Sequence, residues 1–327
     1  MFITPMRRPL ILVLLVTFAL AFNAGSAATA PSLLAGQRVL ILGDSITQDG
    51  RYVTFLEYYA HRLAPGTGAD LISIGLGSET ISGLTEPGHA YPRPNGLDRL
   101  DRALSTIKPT VVFACYGMND GIYHPSSPER LAAFDHGLDV LIARVRAAKA
   151  RLVLITPPVF DPLPIPQRIA PTDATVYGYQ KTFAGYDDVL AELGAAVRKR
   201  TAPDITVIDL HSAMRSALAE RRRTDPAFSF APDGVHPGDL GHLLMARVVA
   251  SGLGLNPPAG TLEAELARIQ ADPLLPLVRD RRTLRSESWL AHIGYTRGDT
   301  FRSQYTQAAE RAAARLQTEI ERLAAQP

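Results

Sequence analysis

Residues 38–47, Arg38-Val39-Leu40-Ile41-Leu42-Gly43-Asp44-Ser45-Ile46-Thr47, decide the reading of this chain. Residues 38–42 form an unbroken apolar run behind Arg38, without the alternation of a half-exposed strand. Such a run fits a parallel strand buried on both faces. Four more runs of the same kind follow, at 70–74, 110–116, 151–155 and 205–209, each rich in Val, Ile or Leu. Helix-like stretches separate them. Residues 51–63 carry Val53, Leu56, Tyr59 and Leu63 at helical spacing. Residues 129–148 are long and amphipathic behind Pro128, a helix-start signal. Residues 188–200 and 240–252 complete the set. Strand alternating with helix predicts an α/β protein. The expected form is a flavodoxin-like three-layer α/β/α domain with a central parallel five-stranded sheet. Sheets of this kind bind ligands at the carboxyl ends of their strands.

Both ends of the chain break the alternation. Arg7 and Arg8 precede an uncharged apolar run over 10–22, and residues 23–30 are rich in Ala, Gly and Ser. This three-part pattern is that of a secretory signal peptide, with cleavage expected after Ala28. A membrane anchor is the alternative, but 13 apolar residues fall short of the roughly 20 a bilayer span needs. The expected location is therefore secreted or periplasmic, with no stable membrane anchor after cleavage. From about residue 257 no strand-like run recurs, and residues 301–325 place Ala308, Ala309, Ala312, Leu316, Ile320 and Leu323 at helical spacing. The expected organisation is a signal peptide over 1–28, a catalytic domain over 29–256, and a helical C-terminal extension over 257–327 packed on the core. A third irregular segment, 157–171, holds six prolines and excludes helix and central strand. Its position after the fourth strand predicts a loop over the site.

Charge and cysteine usage remove several classes of function. The 34 basic residues fall to 32 once Arg7 and Arg8 are cleaved, equal to the 32 acidic ones. A nucleic-acid-binding domain usually carries a basic excess. Cys115, the single cysteine, excludes an intramolecular disulfide and a cysteine-based zinc site, and its apolar run reads as core.

The polar residues just past the strands are the candidates for chemistry. Ser45 follows the first strand at the mouth of the sheet, although Gly-Asp-Ser equally suits a turn and a helix cap. Gly75-Leu76-Gly77-Ser78-Glu79 follows the second strand, where small residues let backbone amides approach a substrate. Gly117-Met118-Asn119-Asp120 follows the third; an Asn amide there can donate to an oxyanion, or simply build a turn. Asp233-Gly234-Val235-His236-Pro237 precedes the last helix of the core. Asp233 and His236 are close enough for the carboxylate to fix the imidazole tautomer. Asp209-Leu210-His211 has similar residue types, and Asp-x-x-His could also offer two metal ligands, although no further His or carboxylate cluster completes a shell.

Taken in order, these four motifs resemble the blocks of the SGNH (GDSL-like) hydrolase superfamily over roughly residues 36–252. The resemblance implies a serine ester hydrolase with Ser45 as nucleophile and Asp233 and His236 as its partners. It implies an oxyanion hole from the amides of Ser45 and of Gly77 or Ser78, together with the Asn119 side chain. Asp44, Glu79 and Asp120, beside the motif residues, are the expected substrate-binding side chains. No metal and no organic cofactor is called for. The absence of Gly-x-Ser-x-Gly around Ser45 argues against an α/β-hydrolase. The expected partner is a small-molecule or oligosaccharide ester, with acetyl removal from carbohydrate as the leading case. A broad esterase, lysophospholipase or thioesterase for longer acyl chains is the alternative, and a non-catalytic binding protein is a third. Tyr52, Tyr123, Phe160 and Trp289 are further candidates for shaping the pocket. The run Arg221-Arg222-Arg223 reads as a solvated helix end, or as an attractant for an acidic sugar.

Overall fold

The computed structural model describes Met1, residues 33–294 and residues 303–326. The expected signal peptide, residues 1–28, lies outside the described residues. All that follows concerns the unit Pro31–Pro327.

Five strands form one sheet: β1 (Arg38–Gly43), β2 (Asp70–Ser73), β3 (Val111–Cys115), β4 (Arg151–Ile155) and β5 (Ile205–Ile208). Every pairing is parallel, in the order β2-β1-β3-β4-β5. Leu40 pairs with Ile72 on one side and Val112 on the other, so the central register is apolar throughout. This is the flavodoxin-like strand order, with its switch point between β1 and β3. Chains leaving the carboxyl ends of β1 and β3 there diverge to opposite faces and open a crevice. Ser45 and Asn119 both lie just beyond those two strand ends.

The helices are α1 (Ser45–Asp49), α2 (Arg51–Leu63), α3 (Leu97–Ile107), α4 (Pro128–Ala147), α5 (Tyr186–Arg198), α6 (Leu210–Arg222) and α7 (Asp239–Gly252). Helices α3, α4 and α5 pack side by side on one face, with α2 and α7 against each other on the other. That division follows from right-handed crossovers on either side of the switch point. Local chemistry starts several helices. Asp44 caps α1 by accepting from Ile46 N at 2.9 Å. Ser127 caps α4, with Pro128 in its first turn. Asp209 caps α6.

Beyond residue 256 the described residues form three helices: α8 (Leu262–Ala271), α9 (Leu274–Ile293) and α10 (Ser303–Ala324). Helix α9 packs on α2, α3 and the edge strand β2, and α10 packs on α9 and α2. The buried face of α9 is cationic. Arg281 meets Glu57 of α2 at 2.5 Å. Arg285 bonds Asp70 at 2.6 Å, Glu310 of α10 at 3.0 Å, and the Leu71 carbonyl of β2 at 2.8 Å. The extension thus covers a sheet edge that would otherwise present unpaired backbone groups. Trp289, expected near the pocket, instead donates to Glu310 and joins α9 to α10. Phe160 and Tyr52 are likewise core residues: Phe160 packs edge-on against Tyr186, and Tyr52 is fully buried with its hydroxyl on Thr47.

Among the described residues, no helix is long and apolar enough to cross a membrane.

Candidate active site

Gly43 ends β1 where the chain turns sharply into α1. A Cβ on it would lie 2.2 Å from Thr47 Oγ1 and 2.8 Å from the Cys115 carbonyl, so only glycine fits this turn. Ser45 is therefore held at the first position of α1, where helical N–H groups have no intrahelical acceptor. Its Oγ lies 2.8 Å from His236 Nε2. His236 Nδ1 lies 2.7 Å from Asp233 Oδ2. The other carboxylate oxygen of Asp233 accepts from the amides of His236 and Val235 at 2.7 and 3.0 Å. Ser45 thus joins the neighbouring pair Asp233 and His236, 191 positions away at His236, in one hydrogen-bonded relay.

The loop carrying Asp233 and His236 needs Gly234, which sits at φ +81°, in the region that favours glycine. A side chain there would also strike Ile165 and the Asp161 carbonyl. Both belong to the proline-rich segment after β4, which packs directly on this loop. Asp161 N donates to the Gly234 carbonyl at 2.9 Å, and Arg168 donates to the Asp233 carbonyl at 3.2 Å.

Electrostatics follow from these contacts. Burial works against ionising Asp233, but the hydrogen bonds from the His236 side chain and from the His236 and Val235 amides hold its carboxyl well below the usual range. The Asp233 hydrogen bond raises His236 above the ordinary histidine value against partial desolvation, and the charge of nearby Asp44 adds to the rise.

Asn119 follows β3 and is nearly buried. Its Nδ2 donates to the Glu79 carbonyl at 3.2 Å, and its Oδ1 accepts from the Tyr123 hydroxyl at 3.1 Å. These bonds fix the orientation of the amide. The Gly77 amide donates to Gln48 Oε1 at 2.7 Å. Ser78 stands at φ +64°, and its amide has no hydrogen-bond partner among the described residues. Ser45, Gly77, Ser78, Asn119 and His236 share one cavity of about 270 Å³, further walled by His89, Tyr91, Arg93, Tyr123 and Tyr179. Tyr123 thus takes the place expected of it. Gln48, His89, Tyr91, Arg93 and Tyr179 carried no readable motif, because they come from loops and a short helix without periodicity.

The three expected substrate-binding carboxylates need correction. None lines the cavity. Glu79 is fully buried, bound by Arg99 through two bonds of 2.7 Å and by the Tyr116 hydroxyl at 2.6 Å. Asp120 is fully buried and accepts from the Ile81 and Ser82 amides, both at 2.8 Å. Asp44 is spent on capping α1. A buried carboxylate must be satisfied by nearby donors, and here protein donors take that role. Burial pushes Asp44 up to about 7 and Asp120 up to about 6, against the hydrogen bonds each accepts.

The similar-looking Asp209 and His211 are structural. Asp209 caps α6, and His211 is buried beside Asp187. Each arginine of 221–223 has a carboxylate: Glu263, Asp161 and Glu220 in turn. The run is therefore a solvated helix end whose arginines are each paired locally. Burial also pushes the Cys115 thiol up, as expected for a core cysteine.

A profile of the GDSL-like lipase/acylhydrolase family matches residues 41–244, a span that contains Ser45, Asn119, Asp233 and His236. The chain belongs to the GDSL-like lipase/acylhydrolase family. It is accordingly a carboxylic ester hydrolase. The fold of this acylhydrolase is shared with a catalytic mutant of Axe2, an acetylxylan esterase from Geobacillus stearothermophilus. That match has a TM-score of 0.51 and 19% identity, over 70% of this chain and 100% of the other. A second Axe2 catalytic mutant matches at TM-score 0.51 and 19% identity, over 69% and 97%. A gut microbial diltiazem-metabolizing enzyme matches at TM-score 0.50 and 20% identity, over 69% of this chain and 48% of its own length. The GDSL-like chain thus spans about half of that protein. No curated protein matches it in sequence.

The position of Asp44 gives this acylhydrolase a testable pH dependence. In a mechanism with His236 as the base, only neutral imidazole accepts the proton of Ser45, so activity is expected to rise as pH passes through the His236 pKa. Asp44→Asn keeps an adequate helix cap and removes the negative charge that Asp44, itself pushed up to about 7, carries in the upper part of the His236 titration and that helps to raise His236. The acid limb of kcat/KM therefore moves to lower pH in Asp44→Asn. An unmoved or upward-shifted limb in a pH–rate profile contradicts that coupling.

Proposed function

We propose that the chain is an exported carbohydrate O-acyl esterase that removes acetyl groups by serine catalysis. The observation that carries the reading is the continuous hydrogen-bond chain from Ser45 through His236 to Asp233, at 2.8 and 2.7 Å, open to one cavity.

In the proposed mechanism, His236 Nε2 takes the Ser45 proton as Oγ attacks the ester carbonyl. Asp233 holds the tautomer and stabilises the imidazolium. The oxyanion is held by the amides of Ser45 and Ser78 and by Asn119 Nδ2. Ser78 is preferred over Gly77 because the Gly77 amide is already donated to Gln48. Each such donor is worth on the order of 100-fold or more in rate. His236 then protonates the leaving alcohol, and water repeats the cycle on the acyl-enzyme.

The acetyl preference rests on the cavity. At about 270 Å³, with polar and aromatic walls of His89, Tyr91, Arg93 and Tyr123, it suits a short acyl group better than a long alkyl chain. The acetylxylan esterase sharing the fold is consistent with a carbohydrate alcohol. Export rests on the pattern of residues 1–28.

Hydrolysis of p-nitrophenyl acetate, butyrate and octanoate by the purified protein tests the reading. The expected result is highest kcat/KM on acetate, falling with chain length. A rate that climbs toward octanoate overturns it in favour of a longer-chain esterase. N-terminal sequencing of protein recovered from outside the cytoplasm is expected to begin at Thr29; an intact Met1 in that fraction contradicts signal-peptide cleavage.

A further inference from the structure

A second and larger cleft, of about 590 Å³, opens beside the cavity at Ser45. Its walls come from residues 86–89 and 171–181, and it shares His89 and Tyr179 with the catalytic cavity. The two spaces therefore adjoin, with these two rings at their junction. We propose that this cleft is the subsite for the alcohol half of the ester, and that its occupant is an oligosaccharide extending beyond the acetylated sugar. This rests on the carbohydrate-ester reading above and deepens it.

The cleft is a built feature and not a gap between wandering loops. Its wall at 178–181 is a tight turn, with Gly178 and Lys181 exchanging backbone hydrogen bonds of 3.0 Å in both directions. Two arginines fix that turn. Arg93, on the cavity side, holds Glu86 through two bonds of 2.6 Å, and Glu86 in turn accepts from the Tyr179 amide at 3.4 Å. The Arg93–Glu86 side chains are almost fully buried. Arg168 bonds the Tyr179 carbonyl at 2.7 Å and the Asp233 carbonyl at 3.2 Å. One guanidinium thus ties the cleft wall to the loop that carries His236. His236 is the group proposed to protonate the leaving alcohol, so an alcohol departing past it meets this wall.

The surface chemistry favours sugar over alkyl chain. His89 and Tyr179 stand edge to face at 5.4 Å, presenting ring surface at the junction. The C–H face of a pyranose packs on such rings while its hydroxyls need donors and acceptors at the edges. Gln180, Thr175 and Lys181 supply those polar edges, and Val176 is 59% exposed. An alkyl chain of similar length requires an enclosed apolar channel to leave water. Here the walls are open and mostly apolar, with the exposed Thr175, Gln180 and Lys181 set along them.

The proposal also gives a role to residues 156–185, a long connection with only one short 3-10 turn, Pro166–Arg168. Loops of this length without regular structure are commonly binding loops.

The test is kcat/KM on singly acetylated xylo-oligosaccharides of one to four sugar residues, for the natural protein and for a Val176→Ala, Gln180→Ala double variant. Both side chains are exposed, so the fold is not at risk. Remote binding energy is expressed in kcat/KM, and the natural protein is expected to gain about ten-fold from one residue to four. The double variant loses most of that gain. Equal rates on all lengths overturn the subsite and leave the carbohydrate-ester reading standing. A full gain retained by the double variant overturns the assignment to this cleft. No hydrolysis of any acetylated sugar, with rates climbing on longer p-nitrophenyl esters, overturns the carbohydrate reading itself.

Discussion

Ser45→Ala lowers kcat on p-nitrophenyl acetate by ~10⁴–10⁶-fold and leaves thermal stability essentially unchanged. The size follows from what the substitution removes. Oγ is the proposed atom that bonds to the acyl carbon, and it is the partner of His236 Nε2 at 2.8 Å. Without it, the oxyanion donors and the binding cavity remain, but water must replace the nucleophile. Stability is spared because Ser45 is only half-buried and, among the described residues, its side chain bonds only His236. The cap of α1 is Asp44, which is untouched. Parallel measurement of kcat and Tm checks both halves. A Ser45→Ala protein retaining even a tenth of its activity removes the serine mechanism from consideration.

Arg99→Met has the opposite profile, with a large effect on stability. Arg99 is 1% exposed and grips Glu79 with two bonds of 2.7 Å, while also bonding the Ile74 carbonyl at 2.7 Å. Methionine fills much of the space but leaves the Glu79 carboxylate in the core with, among the described residues, the Tyr116 hydroxyl alone as donor. Removing one partner of a buried pair costs ~3–5 kcal/mol. For a chain of this size that corresponds to a fall in Tm of roughly 5–8 °C. Adding Glu79→Gln removes the stranded charge and restores part of the loss. A single variant that melts within about 2 °C of the natural protein means that Glu79 finds other donors. The Glu79 carbonyl also accepts from Asn119 Nδ2, so kcat well below the new Tm is expected to fall as well.

Much of the sheet was legible because buried parallel strands announce themselves as apolar runs. All five were placed from sequence with ends differing by at most one residue: β1 runs one residue longer, β3 is one shorter at each end, β2 and β5 stop one earlier, and β4 agrees at both ends. Helices α2, α4, α5 and α7 were legible through apolar spacing and a proline start. Helix α9 was not, for a definite reason: Arg281 and Arg285 occupy its buried face, where a periodicity reading expects apolar residues. Their partners, Glu57 and Asp70, lie more than 200 positions away, so nothing local marks them as core. The same blindness produced the wrong expectation for Glu79, Asp120 and Asp44. Carboxylates beside a motif look available to a ligand until buried donors, here Arg99, Tyr116 and backbone amides, are found to hold them.

The sequence by itself determined the parallel α/β architecture and the four short motifs past the strand ends. Both are written locally, one in runs of apolar side chains and the other in contiguous residue types. Only the tertiary structure decided which of those motif residues meet. It brought Ser45 to His236 across 191 positions, engaged the Gly77 amide with Gln48, and buried the three carboxylates. It also formed the adjoining cleft from two loops of no periodicity. Contacts of that kind depend on which strand ends the switch point sets side by side, and no local pattern along the chain encodes them.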